Sequence, residues 1–140
     1  MIGTIRSIAE PRLVLGALLA AGVLAAAGCR SNKPSLSDAR YDGPPIQIDR
    51  TGRVYRLIMQ APTPGWTFTL DHVTPSLDKA TVTVTARRPD PSYMYPQVIV
   101  TQELLTTVET SVPIDVYART SEFVTSAKVQ TYQFLGSSAP

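Results

Sequence analysis

The stretch WTFTLDHVTPSLDKATVTVTA, residues 66–86, decides the fold class of this 140-residue chain. Its first six residues alternate apolar and polar side chains, a period of two that is typical of a strand with one buried face. We expect Trp66, Phe68 and Leu70 to point into a core. The pattern predicts a strand rather than a helix, in which apolar positions would recur every three to four residues.

The last seven residues of this stretch, 80–86, repeat the same alternation. Val82 and Val84 are expected to face inward, and the threonines between them are expected to form an exposed ladder. The connecting residues 74–79 contain proline, serine and aspartate, which are common in turns. The two strands and their connection therefore predict a β-hairpin.

Shorter strand patterns lie on both sides of the hairpin. Pro113 indicates an edge strand or the start of a strand, and residues 102–109 fit either a strand or one or two helical turns. A central strand is expected at 98–100, because this segment is apolar on both faces. The strand segments outside the hairpin are 54–60, 98–100, 112–117 and 129–135, the last with Tyr132 and Phe134 inward. Six or seven short strands predict a single small antiparallel β-sandwich or partly open barrel.

The N-terminal segment carries the features of an export signal. Arg6 and Arg12 precede an uncharged run, residues 13–28, which ends in small residues directly before Cys29. The run is shorter than the roughly 20 apolar residues that a membrane-spanning helix needs, so cleavage is expected. Residues 1–28 are therefore predicted to be a signal peptide.

Cys29 is the single cysteine of the chain. Its context resembles the lipobox of bacterial lipoproteins, in which this cysteine is acylated and becomes the first residue of the mature protein. Ala26 departs from that motif, which usually has leucine there. Ordinary signal cleavage after Ala27 is the alternative, and it would leave a free thiol or an intermolecular disulfide. The lipobox-like pattern predicts a protein anchored to the cell membrane or outer membrane and facing the periplasm or the exterior.

The rest of the chain divides into a tether and one domain. Residues 29–45 are predicted to be the lipidated cysteine and a flexible tether, because they are polar, contain several prolines and lack apolar periodicity. Residues 46–140 suffice for one β-sandwich-like domain. The formal net charge of the chain is only +2, which is not the strongly basic balance of a nucleic-acid-binding domain.

A second resemblance covers residues 65–119. Gly-Trp at 65–66, a threonine-valine strand, a proline-bearing loop and then Val-Thr-Gln-x-Leu at 100–104 follow one another in this order. The order resembles the β-rich C-terminal domain of the protease-complex accessory subunit family (PrcB-like). The bulky Trp66 and the long stretch 103–111 depart from that pattern. The resemblance implies a small exported domain that associates with or stabilises another protein, with no catalytic residues to carry over.

Enzyme chemistry has little support in the sequence. His72 is the only histidine, and a hydrolytic triad needs a histidine between its nucleophile and its carboxylate. Asp71 is expected to point to the opposite face of the strand, so His72 is interpreted as a strand-end residue bonded to backbone groups. A small envelope hydrolase that uses His72 is kept as an alternative. No metal or cofactor is expected, because zinc needs several histidine or cysteine ligands and there is no glycine-rich phosphate loop.

The main binding candidate is the loop PDPSYMYP, residues 89–96. Its prolines lower the entropy cost of ordering, and Tyr93, Met94 and Tyr95 offer contact area to a partner protein. Trp66 is the fourth candidate residue. The competing interpretation is that these side chains fold back over the open end of the sandwich.

These observations predict a lipid-anchored envelope protein with a non-catalytic β domain that binds or stabilises a partner protein. A carbohydrate or cell-wall ligand module that uses Trp66 or the loop tyrosines is an alternative. Five arginines are expected to be dispersed and solvated rather than to form one patch for anionic ligands. They are Arg50, Arg53, Arg56, Arg87 and Arg88.

Overall fold

A computed structural model describes residues 33–124 and 131–139 of the chain. The predicted signal peptide, Cys29 and residues 30–32 lie outside the described residues. Within those two ranges the chain forms eight β-strands. In chain order they are β1 (Leu36–Arg40), β2 (Ile46–Asp49), β3 (Val54–Ala61), β4 (Thr67–Pro75), β5 (Ala80–Arg87), β6 (Val100–Glu109), β7 (Ile114–Ser121) and β8 (Tyr132–Ser138).

The strands form two sheets. Five strands pair in the order β1-β8-β7-β5-β4, and three pair in the order β2-β3-β6. The predicted hairpin is present as β4 and β5, which pair in antiparallel register. The predicted fold class, a small mainly β domain of sandwich type, is confirmed, and the two sheets do not close into a barrel. Two pairs, β1 with β8 and β5 with β7, are parallel, which the strand patterns did not indicate.

The hydrophobic core lies between the two sheets. Alternate residues of β3 and β5 fill much of it, as the period of two requires. Phe68 is buried as predicted, while Trp66 and Leu70 are partly buried against the core. The fully or nearly buried apolar residues of the core are Tyr55, Leu57, Met59, Ala61, Phe68, Ala80, Val82, Val84, Ala86, Val108, Ile114, Val116 and Ala118.

The threonines of β5 do not form the exposed ladder that was predicted. Thr83 and Thr85 are only 1% and 7% exposed, although they alternate with the core-facing valines and so point to the outer face of the sheet. Thr85 lies opposite Arg119 of β7, and Arg119 Nε donates a hydrogen bond to Thr85 Oγ1 at 2.8 Å. β5 is an interior strand that is covered on both faces.

One of the strand predictions around β6 needs a correction. The central strand predicted at 98–100 is wrong, because Val98 and Ile99 precede β6 and are exposed. The ambiguous segment 102–109 is a strand, at the edge of the three-stranded sheet. Pro113 directly precedes β7, so its assignment to a strand start is confirmed, and β7 itself lies inside the five-stranded sheet.

The predicted tether is wrong for residues 36–45. Leu36–Arg40 forms β1, which pairs in parallel with β8, and Tyr132 N donates a hydrogen bond to the Ser35 carbonyl at 2.8 Å. The domain therefore begins before the predicted boundary at residue 46. Main-chain hydrogen bonds at a sheet edge need no apolar side chains, so the polar composition of this segment did not reveal the strand.

The side chains of Tyr132 and Phe134 lie on the outer face of the five-stranded sheet, so the prediction that both face inward is wrong. Phe134 packs edge-to-face on Tyr117 with ring centroids 5.4 Å apart, and Tyr117 alternates with the core-facing residues of β7. The Tyr132 ring lies under the Arg119 guanidinium, 4.5 Å from its Cζ. Only 4% of Tyr132 is exposed.

A polar network crosses this outer face from β8 to β4. Tyr132 Oη donates a hydrogen bond to Asp71 Oδ2 at 3.0 Å, and the Thr85 hydroxyl donates to the same carboxylate. Arg119 joins the network through Thr85 Oγ1. The four residues, one from each of four neighbouring strands, are termed the outer-face network. Its bond between Tyr132 and Asp71 links β8 to β4, two strands that do not pair with each other.

Candidate functional site

One end of the sandwich brings the predicted binding residues together. β5 and β7 end here, and β4 and β8 begin here, as their registers show. The loop of residues 89–96 follows β5 and connects it to β6 in the other sheet. This end of the domain is termed the loop end, and it includes Trp66, Arg88 and residues 89–99.

A groove of about 400 Å³ opens at the loop end. That volume lies within the range of small-molecule pockets and suits one or two side chains of a partner. Its lining combines apolar side chains with polar ones, which include one acidic and one basic residue. The apolar residues are Pro44, Pro45, Pro62, Trp66 and Ile99, and the polar residues are Asp42, Gln60, Arg88 and Thr120.

Trp66 lines this groove and directly precedes β4. Its ring packs partly buried against the core. Gln102 of β6 donates a hydrogen bond from Nε2 to the Trp66 carbonyl at 2.6 Å, which ties the start of β4 to the three-stranded sheet. Tryptophan often dominates binding energy at interfaces, so a partly buried Trp66 that lines a groove suits an anchoring contact.

Two buried hydroxyl groups lie beside the groove. Tyr41 Oη and Thr120 Oγ1 make no hydrogen bond within the described residues. An ideal Cβ at Gly43 would lie 2.0 Å and 2.5 Å from these oxygens, so only glycine lets the chain pass between them. Burial raises the pKa of Tyr41, while Thr120 and Asp42 have smaller effects of opposite sign. Buried hydroxyls without partners are uncommon, and these two lie close to each other beside Gly43.

The loop of residues 89–96 has a defined conformation. Asp90 organises its first turn, because Asp90 Oδ1 accepts a hydrogen bond from Ser92 N at 2.9 Å and its carbonyl accepts one from Tyr93 N at 3.2 Å. A third bond, from Val98 N to the Pro96 carbonyl at 2.9 Å, closes its end. These bonds and the prolines make the loop a stiff projection.

The structure places the aromatic side chains of the loop differently. Tyr95 folds back, and its ring is half-buried against Gly65, where an added Cβ would lie 2.6 Å from ring atoms. Tyr93 and Met94 are 68% and 102% exposed and make no such contact with the sandwich. The rings of Tyr93 and Tyr95 meet edge-to-face, with centroids 6.5 Å apart.

Gly65→Ala is expected to lower the free energy of unfolding by about 1–3 kcal/mol, because overpacking displaces neighbours that cannot easily move. The new Cβ would clash with Pro89 and with the Tyr95 ring. Urea unfolding and chymotrypsin cleavage at Tyr93 measure the effect on the domain and on the loop. Gly52→Ala is the control, since its nearest neighbour is 3.6 Å away. Equal behaviour of the two variants would contradict the contact of Tyr95 with Gly65.

His72 lies away from the loop end, on β4. The prediction that Asp71 points to the opposite face is wrong, because a bulge at Asp71 shifts the register and turns its carboxylate toward Thr85, while His72 pairs with Thr83. The His72 carbonyl accepts a hydrogen bond from Thr83 Oγ1 at 3.4 Å. Among the described residues, the His72 imidazole makes no hydrogen bond, and no group of three or more histidine, cysteine or acidic side chains is placed to hold a metal ion.

The five arginines are spread over the domain. Arg53 pairs with Glu109 and Arg88 with Glu122, each at 3.3 Å. Arg56 lies near Asp49 and Glu103 on the three-stranded sheet, and Arg50 donates to the Ala139 carbonyl. Arg87 donates to the Phe123 carbonyl at 2.7 Å and lies over its ring. Of the five, only Arg88 lines the groove.

No family model, no curated protein and no solved structure matches this chain. The resemblance of the N-terminus to a lipobox and that of residues 65–119 to the PrcB-like domain therefore stay predictions. In the described ranges, the structure contains no helix of the length and apolar character that crossing a membrane requires.

Proposed function

We propose that the protein is a lipid-anchored component of the bacterial cell envelope whose β domain binds a partner protein. The groove at the loop end is the proposed binding site, with Trp66 as its anchor. The observation that carries this proposal is the position of Trp66, which is half-buried, tied to both sheets and open to the groove. Tryptophan, tyrosine and arginine are the residues that most often dominate binding energy at protein interfaces.

The walls of the groove support the same proposal. Three prolines, Pro44, Pro45 and Pro62, line it, and proline-rich walls lose little entropy when a partner binds. Asp42 and Arg88 place opposite charges in the lining, which favours a polar partner segment with matching charges. Non-catalytic binding is proposed because the lining of the groove includes no histidine or cysteine.

A photo-crosslinking amino acid in place of Gln60, which is exposed and lines the groove, is expected to capture one discrete protein in intact cells. Arg88→Glu in the same background is expected to lower capture about tenfold or more, as for an interface hot spot. Arg53→Glu is the matched control, because Arg53 makes the same 3.3 Å ion pair with a glutamate but lies outside the groove. If both variants reduced capture equally, or if no discrete crosslinked product formed, the groove would not be the binding site of a partner protein.

A carbohydrate or wall-fragment ligand is the second candidate, favoured by the aromatic Trp66 beside the hydrogen-bonding groups of Gln60, Asp42 and Arg88. Trp66 is the only tryptophan of the chain, so its fluorescence reports directly on this groove. A saturable change on titration with wall fragments, without protein capture, would replace the partner-protein proposal.

The anchor is tested separately by mass spectrometry of the mature N-terminus. An unmodified Cys29 thiol or cleavage after Ala27 would refute the proposed acylation.

A further inference from the structure

The chain enters the domain at the loop end. Leu36, the first residue of β1, pairs with Tyr132, the first residue of β8, and β8 begins where β5 and β7 end. Ser35 is held at the same place by the hydrogen bond from Tyr132 N to its carbonyl. The segment that leads back to Cys29 therefore leaves the sandwich from the end that also carries the loop of residues 89–96.

The segment between the proposed anchor and the domain is short. Only residues 30–35 separate Cys29 from Leu36, so even a fully extended chain spans at most about 25 Å. Within the sheet, β1 and β5 are three strand positions apart, or about 14 Å at ordinary strand spacing. An anchor at Cys29 thus keeps the loop end close to the membrane surface.

The loop end carries exposed apolar side chains that do not line the groove. Tyr93, Met94 and Val98 are 68%, 102% and 57% exposed within a span of six residues. They are termed the loop tip, and they lie outside the lining of the groove. Tyrosine favours the headgroup region of a bilayer, and methionine and valine favour the hydrocarbon beneath it. An exposed apolar cluster of this kind marks a contact surface.

We infer that the loop tip contacts the lipid surface of the membrane that holds the protein. The inference rests on the proposed acylation of Cys29, and it assigns Tyr93 and Met94 to lipid rather than to the partner protein. The short linker keeps the tip at a high effective concentration beside the bilayer, so even a weak apolar contact is formed much of the time. This contact orients the domain relative to the membrane surface, whereas the acyl chains hold the protein at the membrane.

The test uses the mature acylated protein in vesicles of phosphatidylethanolamine and phosphatidylglycerol. Acylated Cys29 has no free thiol, so Met94→Cys creates a unique site for an environment-sensitive fluorophore. Leu77→Cys is the matched control, because Leu77 is 101% exposed and lies in the β4–β5 turn at the opposite end of the sandwich. Brominated lipids in the vesicles quench only a fluorophore that reaches the bilayer.

The expected result is a blue shift and loss of fluorescence for the label at Met94 and neither change for the label at Leu77. Equal quenching at both positions, or at neither, would overturn the inference. Shielding of the Met94 label in native envelopes but not in protein-free vesicles would also overturn it, and would assign the loop tip to a protein partner. Failure of the anchor appears independently, as thiol labelling of the wild-type protein at Cys29.

Discussion

Leu57→Ala is expected to lower the free energy of unfolding by about 2–5 kcal/mol. Leu57 is fully buried in β3, the middle strand of the three-stranded sheet, and faces the five-stranded sheet across the core. Alanine would remove its apolar contacts and leave a cavity that packed neighbours only partly fill. Because small domains are stable by only about 5–15 kcal/mol, this loss is a large share of the total. Urea unfolding followed by Trp66 fluorescence measures it.

Leu105→Ala is the matched control for Leu57→Ala. Leu105 lies on the neighbouring strand β6, next to Leu104, which pairs with Leu57. Unlike Leu57, Leu105 is 64% exposed. We expect a change of less than about 0.5 kcal/mol, as for other surface positions. Similar losses for the two variants would mean that the core does not lie between the two sheets as described.

Tyr132→Phe is expected to lower the free energy of unfolding by about 1–3 kcal/mol, because it removes a hydrogen bond to a carboxylate and leaves Asp71 with one donor fewer. The effect also depends on pH. Burial raises the pKa of Tyr132 above its ordinary value of 10.0, and the neighbouring Asp71 carboxylate raises it further. Tyr41 has a raised pKa as well, chiefly through burial.

The direction of the pH effect follows from these two raised values. Below the ordinary pKa near 10.0 both tyrosines are protonated in the folded and in the unfolded chain. Their full contribution to the free energy of unfolding is therefore present. As the pH rises above that value, the unfolded chain releases these protons first, and the free energy of unfolding falls. Tyr132→Phe is expected to make this fall less steep, because one of the two groups is gone.

Urea unfolding from about pH 8 to about pH 11 measures both effects of Tyr132→Phe. Tyr93→Phe serves as the control, because Tyr93 is 68% exposed and makes no hydrogen bond through its hydroxyl within the described residues. It is expected to leave the free energy of unfolding unchanged at neutral pH. An unchanged alkaline slope in Tyr132→Phe would contradict the role given to burial and to Asp71.

Local alternation predicted the hairpin correctly because its signal is contained in neighbouring residues. Phe68, Val82 and Val84 follow the period of two and occupy the core. The same pattern failed for Thr83 and Thr85, because alternation assigns a side chain to a face but does not reveal what covers that face. The covering residues come from β7 and β8, far along the chain.

The candidate site was only partly predictable for a related reason. Trp66 and the loop of residues 89–96 stand out by composition, since aromatic residues and prolines are concentrated there. No local sequence pattern marks Asp42, Gln60 or Thr120 as binding residues. Only the strand order of the two sheets brings these three residues to one groove. The parallel pairing of β5 with β7 depends on such distant contacts and could not be read from short patterns.

The pairing of β1 with β8 has a consequence for the order in which the five-stranded sheet can be completed. Ser35 and Thr131, which meet at the start of β1 and β8, are separated by 96 residues, and contacts this distant in sequence form late in folding. A chain is synthesised from its N-terminus, so β1 stays without its partner until β8 has been made. Until that pairing forms, the five-stranded sheet lacks its edge strand β1, so the segment Leu36–Arg40 is the last part of this sheet that can join it.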